Sequence, residues 1–319
     1  MSLALLFISV FFINNSVLAS PGQDKECTRF ALNSLIHGVT SEDKNETGAT
    51  FKFAYKGKGP QRFSDAIGAD GYNVSDDLAA IIKFFKEENI DFTNANLVDI
   101  GPGTGEKGAW IINAIQSQLG GNPSYYALDF SEEMLLLAKN TIDEKTKNIT
   151  PFGMKIDLEN EWKLRYKKND MNKPSVFLFL GQTLGNFDDR AAVLQGIRSN
   201  MKTGDILVLG VDHFDPIKVA SVVAGYDNKL MGEFLQNQSE FLNLDNSKGS
   251  IKYYFNYKTN SVEAAFRFKN GVQEPIVLFK SHRFTTDEIE QLSYKSDFSL
   301  AGTAINEGTE YKVHFLKIE

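Results

Sequence analysis

Cysteine is almost absent from this 319-residue chain, which contains only Cys27. A single thiol excludes an internal disulfide and a metal site built from clustered cysteines. Histidine is nearly as scarce, and the histidines at positions 37, 213, 282 and 314 are too scattered in the sequence to indicate a metal-binding triad. We expect surface or loop positions for them, and no bound metal.

Basic residues are also in short supply, because 34 Lys and Arg stand against 41 Asp and Glu, a formal net charge of -7. Binding to nucleic acid depends on clustered basic side chains, so we expect no nucleic-acid partner. The densest basic stretch, residues 163–168, is most simply a solvated loop. Hydrophobic residues make up 42% of the chain, enough for the core of one large domain or two small ones.

Long apolar runs are missing after residue 19, so no membrane span is expected in the mature chain. Residues 3–13 are apolar throughout and are followed by the small-residue pattern of residues 17–19. This pattern predicts a signal peptide at residues 1–19, cleaved after Ala19, and therefore an exported or secreted protein. No Lys or Arg precedes the apolar run to orient it. An uncleaved anchor, or a misassigned start that would leave the protein cytoplasmic, therefore stays open.

Segments with strand and helix periodicity alternate from residue 97 onward. Strands are predicted at 97–100, 125–129, 152–156, 175–180 and 205–211, and helices at 76–86, 106–118, 131–142 and 188–201. Strands separated by helices indicate an α/β fold with a Rossmann-like parallel sheet covered on both faces.

The pattern changes after Asp212. One helix is predicted over 216–242, followed by β-like runs at 250–257, 261–268 and 275–280 whose turn signals indicate antiparallel hairpins. The predicted divisions are a signal peptide at 1–19, a loosely ordered lead-in at 20–50, a ligand-binding core with an N-terminal cap at 51–212, a substrate-binding region at 213–305 and a final core strand at 306–319.

A glycine-rich loop follows the first predicted strand of the core, with glycines at positions 101, 103 and 105. In parallel sheets such a loop presents backbone N–H groups to a ligand beyond the carboxyl ends of the strands. A dinucleotide fingerprint would place its third glycine at position 106, where Glu106 stands instead. A carboxylate there repels a pyrophosphate but tolerates a cation. This spacing disfavours a nicotinamide oxidoreductase and favours the sulfonium of S-adenosylmethionine.

Acidic residues follow the next two predicted strands. Asp129 is placed to accept hydrogen bonds from the ribose hydroxyls of that cofactor. Asp157 is placed to accept from the adenine amino group, with Leu158 covering the ring. The alternatives are that Asp129 only caps the helix that starts near Ser131 and that Asp157 only ends a strand. The three signals in this order favour the cofactor site.

The chain from about Phe53 to its C-terminus resembles the histidine-specific methyltransferase family, typified by the histidine N-methyltransferase of ergothioneine biosynthesis. Residues 179–187, FLGQTLGNF, are similar to the family's FLGSTIGN segment, with Gln182 and Leu184 as departures. The glycine loop with Lys107 is a second match, and residues 224–228, AGYDN, are similar to the AYDD motif. Upstream, residues 55, 59, 63 and 72 match the spacing of two further motifs.

The resemblance implies an S-adenosylmethionine-dependent N-methyltransferase that acts on the α-amine of an amino acid or related small amine. It assigns to the cofactor Tyr55, Gly101, Gly103, Gly105, Lys107, Asp129, Asp157 and Leu158. It assigns to the acceptor Tyr72, Asn186, Tyr226, Phe279 and Ser281, with Asn186 and Tyr226 holding its amino and carboxylate groups. Asn186 and Tyr55 are the catalytic candidates, as residues that position the reactants rather than as acids or bases.

Departures from the family pattern bear on the acceptor. Phe279 stands where the family has a glutamate that grips the imidazole of histidine, although Ser281 remains, and Ala264 replaces a methionine of the side-chain pocket. Losing a hydrogen-bond acceptor for imidazole removes about 1–3 kcal/mol of discrimination. We therefore expect an acceptor other than histidine. The alternative is a methyltransferase-like protein that binds ligand or partner without turnover, which the export signal suggests because the methyl donor is scarce outside cells.

Overall fold

The computed structural model describes residues 50–68, 75–159, 164, 167, 169–305 and 309–318. The predicted signal peptide, almost all of the predicted lead-in, His37 and Tyr72 lie outside these residues, as does most of the basic stretch at 163–168. Within the described ranges, no helix has the length and apolar character needed to cross a membrane.

A seven-stranded sheet forms the centre of the fold, with the strand order β3-β2-β1-β4-β5-β10-β9. Strands β1 to β5 are parallel, whereas β10 runs antiparallel to both β5 and β9. The bounds are β1 (Asn96–Ile100), β2 (Ser124–Asp129), β3 (Phe152–Lys155), β4 (Ser175–Phe179), β5 (Ile206–Asp212), β9 (Ser299–Ile305) and β10 (Tyr311–Lys317). The predicted α/β fold with a parallel-dominant sheet is confirmed.

Helices cover both faces of this sheet. Short 3₁₀ segments at Thr50–Tyr55 and Thr183–Asn186 and a π turn at Ile115–Leu119 complete the described helical structure. The helices are α1 (Gly59–Gly68), α2 (Ser75–Glu87), α3 (Glu106–Ala114), α4 (Glu132–Lys145), α5 (Arg190–Arg198), α6 (Val219–Tyr226), α7 (Lys229–Phe241) and α8 (Thr286–Lys295).

Alternating side chains of the central strands build two separate cores. On β1, Leu97 packs in the core under α2 and α3, whereas Val98 and Ile100 pack in the core under α5 and α8. All five residues of β1 are buried. A strand that is covered on both faces reads as a continuous apolar run, which is why periodicity located it correctly.

A second, antiparallel sheet has the order β6-β7-β8, with bounds β6 (Gly249–Asn256), β7 (Ser261–Phe268) and β8 (Ile276–His282). Its three strands lie where β-like runs were predicted. The region predicted to bind substrate, 213–305, also contains residues that pack against the central part of the fold. Helix α8 packs against α5, and β9 pairs with β10 at the edge of the central sheet, so residues from about 286 onward return to the core. Thr285, which caps α8 with its side chain, was the sequence signal that marked this return.

The single helix predicted over 216–242 is also wrong. The chain forms α6 and α7 with a break at Asp227 and Asn228, because the Asn228 side chain accepts from the backbone N–H of Met231 at 2.9 Å and begins a new helix. The break lies directly after Tyr226 and therefore fixes the position of that residue at a helix end.

Three histidines predicted at the surface or in loops are buried instead, with 7%, 4% and 1% exposure for His213, His282 and His314. His213 and His314 join through their Nε2 atoms at 3.0 Å, and burial lowers their pKa values to about 4 and about 3. His282 pairs with Glu288 at 2.8 Å. Their burial depends on contacts between residues far apart in sequence, which spacing does not show.

Replacing Gly105 by alanine is expected to destabilise the fold strongly. Gly105 has a φ of 83°, and a Cβ there would lie 2.7 Å from the carbonyl oxygen of Ala138 in α4. The left-handed backbone costs about 1–2 kcal/mol for alanine, and the clash adds about 1–3 kcal/mol. Gly271→Ala is the matched control, because its φ is 65° and nothing lies within 4 Å of the added Cβ. Equal losses in urea denaturation would contradict this packing argument.

Candidate active site

The glycine loop lies at the point where the strand order of the parallel sheet reverses, between β1 and β4. Gly101, Gly103 and Gly105 all have left-handed backbones, with φ values of 63°, 58° and 83°. A Cβ at Gly101 would lie 3.2 Å from Cγ2 of Thr183 in the loop after β4, so the two loops meet. Open α/β sheets bind ligands at this reversal, beyond the carboxyl ends of the strands.

Asp129 ends β2 beside this loop. Its Oδ1 accepts from the backbone N–H of Ser131 at 2.8 Å, and burial raises its pKa to about 7. Helix α4 is capped by Ser131, whose Oγ accepts from the backbone N–H of Met134. The alternative in which Asp129 serves only as the helix cap is therefore not what the chain forms.

Asp99, in β1, is a second buried acid at this edge that the sequence reasoning left without a role. Burial raises its pKa to about 6, partly offset by a hydrogen bond from the Tyr125 hydroxyl at 2.7 Å and by the charge of Lys107. The signal was present in the sequence, since an acidic residue interrupts an otherwise apolar strand. Together with Asp129 it makes the floor of the site acidic.

Lys107, in the first turn of α3, is buried beneath the loop after β4. Its Nζ lies 5.2 Å from the ring centroid of Tyr311 in β10. Burial lowers its pKa to about 8, and the carboxylates of Asp77, Asp212 and Asp99 oppose that shift. The predicted cofactor lysine is therefore a buried cation next to the acidic floor.

Asp157 and Leu158 follow β3 at the same edge of the sheet. Oδ1 of Asp157 accepts from Nζ of Lys52 at 2.5 Å, and Lys52 also pairs with Glu159 at 2.6 Å. Leu158 packs against the core under α5 and α8. Lys52 is only 5% exposed and belongs to the first 3₁₀ segment, so this segment is anchored over the predicted adenine side of the site. The sequence reasoning missed Lys52, because nothing local marks its partners a hundred residues away.

Tyr55 ends the same 3₁₀ segment and connects the two halves of the site. Its ring packs edge-on against Phe63 and Phe234 at 5.2 and 5.1 Å. Its pKa is raised by burial, and then by the nearby Asp129 carboxylate and by Tyr226. The backbone carbonyl of Tyr55 accepts from the Ser131 hydroxyl at 2.9 Å. The structure thus brings together three predicted residues, Tyr55, Asp129 and Tyr226, from distant parts of the chain.

Asn186 ends the 3₁₀ segment after β4 and is half-buried. This segment is positioned by Gln182, one of the departures from the family pattern. The Gln182 amide donates to the backbone carbonyl of His282 and accepts from the backbone N–H of Asp212 at 2.6 Å. Gln182 therefore joins the ends of β5 and β8 to the loop that carries Asn186.

Tyr226 and Ser281 are hydrogen-bonded to each other, the Tyr226 hydroxyl donating to Oγ of Ser281 at 3.1 Å. Arg283 donates to the same Tyr226 oxygen at 3.1 Å and pairs with Asp212. Since the phenol oxygen accepts from Arg283, its own proton points away from the guanidinium. Arg283 follows the predicted Ser281 by two residues, and only the tertiary structure shows its contact with α6.

Phe279 lies in β8 with its ring 5.5 Å from the Tyr226 ring and is 8% exposed. It belongs to a cluster, which we name the aromatic cluster, that joins α7, the small sheet and the segments around Tyr55 and Phe63. The cluster consists of Ala54, Tyr55, Phe63, Tyr226, Met231, Phe234, Leu235, Ile251, Tyr253, Ala264 and Phe279. It adjoins the glycine loop, because a Cβ at Gly103 would lie 3.5 Å from the Phe63 ring.

Residues 32–245 match the sequence profile of histidine-specific, SAM-dependent methyltransferases. The chain belongs to this family. No curated protein sequence matches it. The methyltransferase shares its fold with an S-adenosylmethionine-dependent methyltransferase from Clostridium acetobutylicum, at 16% identity and a TM-score of 0.51 over 80% of this chain and 96% of that one. Magnesium protoporphyrin IX methyltransferase from Synechocystis with bound SAH aligns at 12% identity and a TM-score of 0.47, covering 84% and 97%.

The methyltransferase uses S-adenosylmethionine as its cofactor, and the residues at the strand reversal fit that molecule. Three left-handed glycines leave the backbone bare, and the carboxylates of the buried Asp99 and the half-buried Asp129 suit a cationic ligand with hydroxyl donors. Within the described ranges, no cluster of His, Cys, Asp or Glu is suited to hold a metal ion.

Proposed function

We propose that this methyltransferase acts on the α-amine of an amino acid with an aromatic or apolar side chain, and not on histidine. One observation carries the proposal. Phe279, at the position where the family resemblance has an imidazole-binding glutamate, lies inside the aromatic cluster with its ring against Tyr226. An apolar ring leaves the N–H groups of an imidazole without an acceptor, which costs binding free energy.

Glu263, the acidic residue next to Ala264, does not take over the missing role. Glu263 precedes Ala264 in β7, and successive residues of a strand face opposite sides of the sheet. Its carboxylate accepts from the Tyr254 hydroxyl at 2.8 Å, from Asn256 at 3.0 Å and from Thr259 at 3.0 Å. Glu263 is therefore held on the face away from the aromatic cluster.

We assign the cofactor to the carboxyl edge of β1 to β3. The backbone of the three loop glycines lies along it, Asp129 accepts from the ribose hydroxyls, and Asp157 and Leu158 hold the adenine. Lys107 and Tyr55 lie on the side of its amino-acid portion. When bound, S-adenosylmethionine supplies a methyl group on a positively charged sulfur.

The acceptor is assigned to the space between the 3₁₀ segment of Asn186 and the small sheet. The Asn186 amide oxygen accepts from its amine, and the Tyr226 hydroxyl donates to its carboxylate. Tyr55 orients the amine from the cofactor side. The rings of the aromatic cluster exclude water and favour the neutral amine, which holds the nucleophilic lone pair. Holding both reactants in this arrangement is the main contribution of the protein to catalysis.

The test begins with calorimetry against S-adenosylmethionine and S-adenosylhomocysteine, followed by a methyl-transfer screen over the amino acids with mass spectrometry of the products. We expect cofactor binding and methylation of aromatic or apolar amino acids in preference to histidine. Cofactor binding without methylation of any amino acid would point instead to binding without turnover. Preferred methylation of histidine would contradict the proposed acceptor class.

Phe279→Glu is expected to shift the preference toward histidine. With histidine as the acceptor, a carboxylate at this position pairs with the imidazole N–H groups. With phenylalanine as the acceptor, the same carboxylate lies against an apolar ring and is poorly solvated. The ratio of kcat/KM for histidine to that for phenylalanine should therefore rise by at least about tenfold. The matched control is Phe268→Glu, because Phe268 lies at the other end of the same sheet and packs against Phe266, outside the aromatic cluster. An unchanged ratio in a folded Phe279→Glu protein would argue against the assigned pocket.

A further inference from the structure

A row of three side chains crosses the small sheet on its cluster-facing side. In the strand register, Tyr253 of β6 is opposite Ala264 of β7, and Ala264 is opposite Phe279 of β8. All three belong to the aromatic cluster. Because alanine carries only a methyl group, the row is lower at its centre than at its two aromatic sides. Ala264 is fully buried within the aromatic cluster, so this row forms one wall of the assigned acceptor space, with Tyr253 and Phe279 on its two sides.

The hydroxyl of Tyr253 distinguishes it from the other members of this row. It is shielded from solvent and has no hydrogen-bond partner among the described residues. By contrast, the hydroxyls of five other tyrosines are hydrogen-bonded, namely those of Tyr125, Tyr126, Tyr226, Tyr254 and Tyr311. A buried polar group without a partner costs stability and calls for a specific explanation.

The position of Tyr253 relates this hydroxyl to the acceptor. Burial raises its pKa to about 12, and the next contribution comes from the carboxylate of Asp227. Asp227 directly follows Tyr226, the residue assigned to the acceptor carboxylate. The Tyr253 hydroxyl is therefore neutral at physiological pH and can both donate and accept a hydrogen bond. Helix α6, which ends at Tyr226, packs against β6, so Tyr253 lies beside the residue assigned to the acceptor.

We propose that Tyr253 determines specificity by hydrogen bonding to a polar group at the far end of an aromatic acceptor side chain. This inference rests on the proposed function and narrows its substrate class to α-amino acids whose aromatic ring is larger than imidazole and carries a phenol hydroxyl or an indole N–H. A phenol and an indole share this chemistry. The bound acceptor supplies the partner that the Tyr253 hydroxyl lacks, and an acceptor without the polar group leaves that hydroxyl unsatisfied.

The experiment compares tyrosine, tryptophan and phenylalanine as acceptors for the wild type, for Tyr253→Phe and for Tyr254→Phe. Tyr254 is the matched control, because it is the next residue of β6 and its hydroxyl is bound to Glu263 on the opposite face. We expect the wild type to prefer tyrosine or tryptophan over phenylalanine by at least about tenfold in kcat/KM. Tyr253→Phe should abolish that preference by lowering kcat/KM for tyrosine and tryptophan, and Tyr254→Phe should keep it.

Thermal unfolding of the ligand-free protein gives a second readout that does not depend on turnover. Tyr253→Phe should raise the melting temperature, because it removes an unsatisfied hydroxyl and keeps the ring, whereas Tyr254→Phe should lower it. The inference is overturned if Tyr253→Phe keeps the preference for tyrosine or tryptophan over phenylalanine, or if its melting temperature is lowered. Continued methyl transfer in that case leaves the proposed function standing. Absence of methyl transfer to every amino acid overturns the proposed function and the inference together.

Discussion

Replacing Asp129 by asparagine is expected to weaken the binding of S-adenosylmethionine by about 100-fold, since hydrogen bonds to a charged acceptor contribute about 1.5–3 kcal/mol each. The asparagine oxygen still accepts from the backbone N–H of Ser131, so the local backbone geometry is kept. What the variant loses is the charge and one of the two acceptor oxygens offered to the ribose. Isothermal titration calorimetry with S-adenosylmethionine measures the change directly.

The pH dependence of binding follows from the raised pKa of Asp129, about 7 in the folded protein. Below that pH the carboxyl group is protonated and accepts fewer hydrogen bonds. The affinity of the wild type should therefore fall as the pH drops from 8 to 6, whereas that of Asp129→Asn should change less, because the remaining dependence comes from Asp99 and Lys107.

The same substitution is expected to stabilise the ligand-free protein above neutral pH. An unfolded aspartate has a pKa of about 3.9, so between that value and about 7 the folded protein binds more protons than the unfolded chain. The contribution of Asp129 to stability therefore falls as the pH rises through this window. The melting temperature of Asp129→Asn should exceed that of the wild type at pH 8, and the difference should disappear toward pH 4.

Asp143→Asn provides the control for both measurements. Asp143 is a half-exposed carboxylate on the surface of α4 that pairs with Lys139 at 3.0 Å. Its removal should leave cofactor affinity unchanged. An Asp129→Asn protein that binds S-adenosylmethionine as tightly as the wild type would show that the ribose is held elsewhere and would remove the main support for the cofactor assignment.

Tyr226→Phe is expected to lower kcat/KM for an amino-acid acceptor by about 10- to 100-fold, because it removes a hydrogen bond to a charged carboxylate. The corresponding amine without a carboxylate should be affected little. The informative quantity is the ratio of kcat/KM for the amino acid to kcat/KM for the amine, because changes in cofactor binding or stability affect both values equally. Radiolabelled methyl transfer to each acceptor gives both values.

The hydrogen-bond chain around Tyr226 explains this expectation. Asp212 pairs with Arg283, Arg283 donates to the Tyr226 oxygen, and the Tyr226 hydroxyl donates to Oγ of Ser281. The phenol proton is therefore directed toward an acceptor, and a substrate carboxylate is a stronger acceptor than a serine hydroxyl. Arg283 positions this proton without needing to contact the substrate.

Ser281→Ala serves as the comparison. In the proposed complex, the carboxylate of the acceptor replaces Oγ of Ser281 as the group that accepts from the Tyr226 hydroxyl. This variant should retain the preference for the amino acid over the amine. If Tyr226→Phe reduces both acceptors equally, then Tyr226 contributes to the fold of α6 and the carboxylate is bound by other residues.

The sequence by itself determined the central sheet and its ligand edge. Strand β1 was visible because a strand buried on both faces is mostly apolar, here with Asp99 as an interruption, and the loop after it was visible because it carries three glycines, which adopt left-handed backbones. Asp129 followed from its place at the end of the next strand. These features are local, so a short stretch of residues carries enough information to predict them.

Only the tertiary structure decided which distant residues meet. The ion pair of Lys52 with Asp157 and Glu159, the contact of Arg283 with Tyr226, and the row of Tyr253, Ala264 and Phe279 each join segments separated by other elements. The same holds for the buried histidines and for β9, whose place beside β10 the sequence pattern did not show. Chain packing, rather than local spacing, determines these contacts, because a side chain's partner across a sheet or between layers leaves no mark in its own neighbourhood of the sequence.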